Sequence, residues 1–186
     1  IVGLGNIGLA TARRAEALGM RVIGYDPYLP SWIARDNRIE MVDGLLDLAR
    51  DSDFVSILIP LSAETRALID EAFFIEMKPS AYIINTCRGP VVHEPDLIQA
   101  LRKGEIAGAG LDVFEEEPVS LDNPLLKMDN VILTPHMGGA SFMSIGEGLC
   151  RLGEEAARVL AGTLPMSLVN PEVLARISVR PRATRG

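Results

Sequence analysis

The sequence predicts an α/β fold, a doubly wound parallel sheet with helices on both faces. Three observations predict it. Short β-branched runs alternate with helix-period stretches along the chain, the order that builds parallel sheets with right-handed crossovers. Apolar residues make up 48% of the 186 residues, yet only 5% are aromatic; a sheet buried on both faces and built from Val, Ile, Leu and Ala has that composition. The chain also opens on a glycine-rich turn, Gly3-Leu4-Gly5-Asn6-Ile7-Gly8, between two β-branched residues and an apolar-periodic stretch.

Each glycine of that turn answers a local demand. Gly3 permits a tight strand-to-helix turn, Gly5 lets backbone approach a pyrophosphate, and Gly8 lets the helix lie close on its strand. The first N–H groups of such a helix lack intrahelical acceptors, so its positive end suits phosphate. A second apolar run, Arg21-Val22-Ile23-Gly24-Tyr25-Asp26, ends in a carboxylate eighteen residues beyond Gly8. That spacing suits an acid that accepts hydrogen bonds from an adenosine ribose, so the turn and Asp26 together predict a dinucleotide site.

The remaining elements follow in order. Thr11–Leu18 forms the first helix, with Ala12, Ala15 and Leu18 on one face, and Gly19 ends it. Pro27-Tyr28-Leu29-Pro30 breaks the pattern. Residues 39–42 form a short strand, and Asp43 caps a helix through Leu45, Leu46, Leu48 and Ala49. Residues 53–59 form a buried strand that stops at Pro60. Short helices are expected at 65–69 and 71–77. Residues 81–86 form a strand ending at Cys87-Arg88-Gly89-Pro90. Glu94–Arg102 is a helix with Leu97, Ile98 and Leu101 as its apolar face. A glycine-thinned strand over 107–111 reaches Asp112, and an acidic loop runs from there to Lys127. The last strand, 131–134, is closed by Pro135-His136. A long helix spans about Ser141–Ala161; Ile145, Leu149, Leu152, Ala156 and Val159 share a face expected to pack on the sheet. This divides the chain into a nucleotide-binding domain at 1–164 and an irregular extension at 165–186, whose Arg176, Arg180, Arg182 and Arg185 read as a solvated end.

Composition removes several functions. A net charge of −7 argues against general nucleic-acid affinity. Two cysteines, Cys87 and Cys150, make no disulfide framework and fit a reducing, cytoplasmic setting. No two histidines or cysteines have metal-ligand spacing, so no metal is expected. No apolar run approaches the roughly 20 residues that cross a bilayer, and no basic leader is visible. The first strand of such a sheet lies mid-sheet and usually holds about five residues, whereas only Ile1 and Val2 precede Gly3. A longer parent chain that completes this strand is the expectation.

Ligands of such sheets bind at the carboxyl ends of the strands. Those ends deliver Arg88, then Asp112 and a loop with Glu115, Glu116 and Glu117, then His136. With Gly3–Gly8, Asn85-Thr86-Cys87-Arg88-Gly89, Gly110-Leu111-Asp112-Val113-Phe114 running to Glu117-Pro118, and Thr134-Pro135-His136-Met137-Gly138-Gly139, the chain resembles the D-isomer-specific 2-hydroxyacid dehydrogenases from Gly3 to about Pro171. The resemblance implies a Rossmann-like NAD-binding domain that moves hydride between nicotinamide and the CH–OH carbon of a D-2-hydroxy acid. It assigns catalysis to Arg88, Glu117 and His136. An always-charged guanidinium grips a substrate carboxylate bidentately, an imidazole exchanges the proton, and a carboxylate on its far nitrogen fixes the tautomer. Among the three loop acids only Pro118 and the family pattern select Glu117.

The same resemblance assigns cofactor contacts to Gly3, Gly5, Asn6, Ile7, Gly8, Asp26, Pro60, Thr86, Cys87, Arg88, Asp112, His136, Gly138 and Gly139. Asp26 favours NAD over NADP, and Asp112 would hold the carboxamide. Cys87 reads as a small residue at a crowded turn, because hydride transfer needs no nucleophile. His93 reads as a surface residue at a helix start. The family's substrate domain, mostly N-terminal, has no counterpart here, so this stretch alone is expected to bind NAD yet turn over poorly. A homodimer follows from the resemblance, and the substrate remains a small 2-hydroxy or 2-oxo acid. The rival reading is an NAD(H)-sensing protein like the corepressors that share these motifs.

Overall fold

Backbone hydrogen bonding in this fold centres on three residues at the start of the chain. In the computed structural model, which describes residues 1–175, Tyr25 N donates to Ile1 O at 3.0 Å and Gly3 N to Tyr25 O at 2.9 Å, while on the other side Val2 N donates to Ser56 O at 2.9 Å and Leu58 N to Val2 O at 2.8 Å. Val2 thereby bridges two parallel sheets, pairing with Tyr25 and Ile57. On one side lie β1 (Ile23–Gly24) and β2 (Glu40–Met41); on the other lie β3 (Phe54–Ile57), β4 (Tyr82–Asn85), β5 (Gly108–Leu111) and β6 (Val131–Leu133), in that order. Winding goes outward from Val2 in one direction and then returns to continue in the other, so the order of strands reverses beside the glycine turn.

Strand registers follow the pleat. Val55 pairs with Ile83 and Ile83 with Ala109, and all three are buried. Against them pack α3 (Leu45–Asp51), α4 (Glu71–Glu76) and α5 (Glu94–Lys103), through Leu48, Phe73, Phe74, Leu97 and Leu101. A second cluster joins Leu4, Ala12, Val22, Ala34 and Ile39, which ties α1 (Asn6–Ala17) and α2 (Ser31–Asp36) to the β1–β2 side. Phe73 and Phe74 are fully buried and meet edge to face; truncating either to Ala would cost about 3–5 kcal/mol.

Several expectations shift. α1 begins at Asn6, not Thr11. Its first turn shows no apolar periodicity, since Ile7 is 68% exposed, so the pattern hid the start. α2 was not expected; it begins straight after Pro30, whose fixed φ leads into a helix. Asp43 does not cap α3: the cap position is Gly44, with no side-chain cap bond. Residues 65–69 make turns instead of a helix, with Ala67 in the left-handed region at φ 51° and its N–H on Pro90 O. The acidic loop contains a 3-10 turn at Pro124–Lys127.

By contact the described chain divides into Ile1–Met137 and a second unit from Gly138 onward. The second unit is built on α6 (Phe142–Leu160), opened by a reciprocal Ser141–Ser144 capping box. No residue of α6 is buried. Ile145, Leu149, Leu152 and Val159 are all more than half exposed. An apolar stripe records that a helix wants a partner, not which one. A 3-10 turn at Pro171–Ala175 closes the described chain, and the arginines from Arg176 onward lie outside the described residues.

Candidate active site

The nucleotide edge is made mostly of backbone. Gly3 has φ 89°, and a Cβ there would stand 2.5 Å from Ile59 Cγ2. A Cβ on Gly8 would stand 2.1 Å from Gly3 O. These two glycines are required by the protein's own packing. Gly5 is different: nothing lies within 4 Å of a Cβ built on it. It is the N-cap of α1 and offers no side-chain cap, so the N–H groups of Asn6, Ile7 and Gly8 open without intrahelical acceptors. A bare helix start beside an open glycine fits the pyrophosphate of a dinucleotide. Asp26, half-buried past the end of β1, accepts from Leu4 N at 2.9 Å through Oδ2 and from Tyr28 N at 3.0 Å through Oδ1. Those bonds anchor the carboxylate to the glycine turn and leave lone pairs for ribose hydroxyls. Pro60 is exposed just past β3, its carbonyl accepting from Thr65 Oγ1 at 2.7 Å.

The other strand ends carry side chains. Beyond β4, buried Asn85 shapes the turn: its Oδ1 accepts from Cys87 N at 3.1 Å and its Nδ2 donates to Arg88 O at 3.1 Å. This presents Thr86 and Arg88 to solvent. The Arg88 guanidinium makes one hydrogen bond, Nη1 to Cys87 O at 2.6 Å, and no ion pair among the described residues. The Cys87 thiol is half-buried and desolvation pushes it up from its ordinary value, the opposite of what activates a nucleophile.

Beyond β5 and β6 the chain brings Glu117 and His136 together. His136 Nδ1 lies 2.7 Å from Glu117 Oε2, and Phe114 N donates to Glu117 Oε1 at 3.0 Å. The bond with His136 and then the Phe114 N–H hold the Glu117 carboxyl below its ordinary range, with the Arg88 charge acting in the same direction. Glu115 and Glu116 lack this contact; Glu115 turns to the start of α5 instead, where its Oε2 accepts from Glu94 N at 3.4 Å. With Nδ1 engaged, Nε2 is the imidazole atom left to exchange a proton with a ligand. His136 sits at φ 52° and donates its N–H to Asp112 O at 2.8 Å.

Asp112, buried at 4% exposure, accepts through Oδ1 from Thr134 Oγ1 at 2.5 Å and from Met137 N at 2.8 Å. It therefore holds the segment that carries His136, a duty that the sequence pattern did not reveal. Thr134 and Glu94 were likewise given no role, because their partners are distant in sequence; Asn85 was given none either, although its partners Cys87 and Arg88 stand in the same turn. Gly138 and Gly139 open the second unit, where Gly139 O accepts from Ser144 Oγ at 2.6 Å. His93 caps α5 and is half-exposed, paired through Nδ1 with Asp96 Oδ2 at 2.7 Å.

Comparison with known proteins gives the family. A model of the D-isomer specific 2-hydroxyacid dehydrogenase NAD binding domain matches residues 1–138. A glyoxylate reductase of Korarchaeum cryptofilum is 44% identical over 181 residues, 97% of this chain and 53% of that protein. A D-3-phosphoglycerate dehydrogenase of Methanocaldococcus jannaschii is 42% identical over 170 residues, 91% of this chain and 32% of that protein. Among solved structures, the holo form of Rhodotorula graminis D-mandelate dehydrogenase superposes with a TM-score of 0.82 at 40% identity, covering 89% of this chain and 49% of that one. The chain thus spans about half the length, or less, of the relatives it matches. It belongs to the D-isomer specific 2-hydroxyacid dehydrogenases, and its residues 1–138 are the NAD-binding domain of that family.

Proposed function

We propose that the protein is an NAD-dependent oxidoreductase that interconverts a small D-2-hydroxy acid and its 2-oxo acid. The observation that supports it most is the Glu117–His136 pair at 2.7 Å, set on strand ends of an NAD-binding domain. When bound, NAD supplies the two-electron chemistry at the substrate's CH–OH carbon. The protein's residues do the rest. Arg88, exposed and without an ion pair among the described residues, forks the substrate carboxylate and orients it. His136 Nε2 gives a proton to the carbonyl oxygen during reduction and removes it from the hydroxyl during oxidation. Glu117 fixes the ring through Nδ1 and stabilises the imidazolium. Asp26 receives the ribose hydroxyls, and its negative charge repels a 2′-phosphate.

The same reading makes the protein a cytoplasmic homodimer. Cys87 and Cys150 are free, which suits a reducing compartment, and no described helix is long and apolar enough to cross a membrane. Light scattering tests the dimer. The activity test follows NADH absorbance with a panel of 2-oxo acids, on this chain and on the full-length protein. The expectation is turnover by the longer form, with NADH binding but slow turnover by residues 1–186. A full-length protein that binds NADH and reduces no 2-oxo acid is an NAD(H) sensor and overturns the oxidoreductase reading.

A further inference from the structure

The acidic loop after β5 carries Glu115, Glu116 and Glu117 in succession. Three neighbouring carboxylates repel one another, and a loop left to solvent would hold none of them in a fixed place. This loop is pinned on both sides of Glu117. Glu115 N donates to Glu94 Oε2 at 3.0 Å, and Glu94 N returns a bond to Glu115 Oε2 at 3.4 Å. Further along, Asn123 Nδ2 donates to Glu94 Oε1 at 2.6 Å, while Asn123 Oδ1 accepts from Leu125 N at 2.9 Å. One carboxylate at the first turn of α5 therefore holds the loop at 115 and at 123. The backbone behind it has no slack either, since a Cβ on Gly89 would fall 1.7 Å from Phe114 O.

We propose that Glu94 is a positioning residue for the Glu117–His136 pair: it clamps the loop at Glu115 and Asn123 so that Glu117 meets the imidazole and the Phe114 N–H together. It touches neither substrate nor cofactor and acts only through Glu117. The proposal rests on the reading of His136 as the proton carrier for its use in catalysis, but the clamp is testable without turnover.

The test is the titration of the Glu117 side-chain carboxyl, followed by carbon-13 NMR in the 186-residue chain, for wild type, Glu94→Ala and Glu94→Gln. Removing a nearby negative charge alone would move Glu117 downward. Losing the clamp removes the hydrogen bonds that hold it low, so the midpoint moves upward, toward an ordinary carboxylate. The expected result is an upward move in Glu94→Ala and a smaller one in Glu94→Gln, whose amide oxygen still takes the Glu115 N–H while its NH2 no longer accepts from Asn123. In the full-length enzyme kcat then falls on the order of tenfold in Glu94→Ala with KM for NADH unchanged, and Glu94→Gln recovers part of the loss. If Glu94→Ala does not fold, Asn123→Ser removes the other pin while its hydroxyl keeps the cap on Leu125, and the same upward move is expected. A Glu117 midpoint that stays or falls in a folded Glu94→Ala or Asn123→Ser overturns the clamp. Failure of the oxidoreductase reading shows separately, as a wild-type protein that reduces no 2-oxo acid.

Discussion

In the proposed function, the nucleotide edge and the proton-transfer edge of this protein are built by opposite means. At the first, one short turn presents the backbone N–H groups of Asn6, Ile7 and Gly8 beside the Asp26 carboxylate, and the glycine side chains matter by being absent. At the second, Arg88, Glu117 and His136 arrive from three strand ends and are held by Asn85, Phe114, Asp112 and Glu94. A site made from one turn tolerates changes elsewhere in the fold. A site gathered from three loops depends on each loop's anchors, so its weak points lie away from the reacting atoms.

The largest test of that contrast is a pair of alanines on one turn. Gly8→Ala puts a Cβ 2.1 Å from Gly3 O and is expected to destabilise by about 3 kcal/mol or more, in the range of severe overpacking. Gly5→Ala meets no protein atom within 4 Å, so its stability cost is expected to stay below about 1 kcal/mol while NADH affinity falls at least about tenfold, or 1.4 kcal/mol. Denaturant midpoints and NADH titrations on both variants check this. Equal losses of stability would mean that Gly5 serves packing, not the ligand. At the opposite edge, His136→Ala should lower turnover of the full-length enzyme on the order of a hundred- to ten-thousand-fold and leave NADH binding in place. Loss of binding and turnover together would show that the two edges are not separate.

The same contrast explains what the sequence could tell. Gly3 and Gly8 were legible because the turn is contiguous and each answers a local steric demand. The parallel sheet was legible because strands such as Phe54–Ile57 and Tyr82–Asn85 bury the β-branched Val55, Ile57 and Ile83. The start of α1 was not, because its first turn faces outward. Residues 65–69 looked helical but are held by Pro90 and Val91, which no local pattern reveals. Glu117 could not be chosen over Glu115 and Glu116 from the residues alone; the choice is made by His136 and Phe114, which are distant in sequence or reached only through the backbone. The bonds by which Asp112 braces Thr134 and Met137, and the contacts of Glu94, escaped for the same reason. The face of α6 was visible as a stripe, but nothing in a stripe names what it packs on.

The smallest expected effect divides one carboxylate between two duties. Asp26 braces the turn through Leu4 N and Tyr28 N, and in the proposed function it also receives the ribose and excludes a 2′-phosphate. Asp26→Ala removes everything and should weaken NADH about tenfold, near 1.4 kcal/mol. Asp26→Asn keeps an acceptor for one backbone donor and removes the charge together with the other bond. If charge sets cofactor choice, Asp26→Asn retains most NADH affinity while the preference over NADPH shrinks. If the brace dominates, Asp26→Asn and Asp26→Ala lose NADH alike and NADPH stays excluded. Titrating both variants with both nucleotides separates these outcomes. The first is expected, because the bare N–H groups of α1 hold the pyrophosphate whether or not the ribose is gripped, which leaves the carboxylate to discriminate more than to bind.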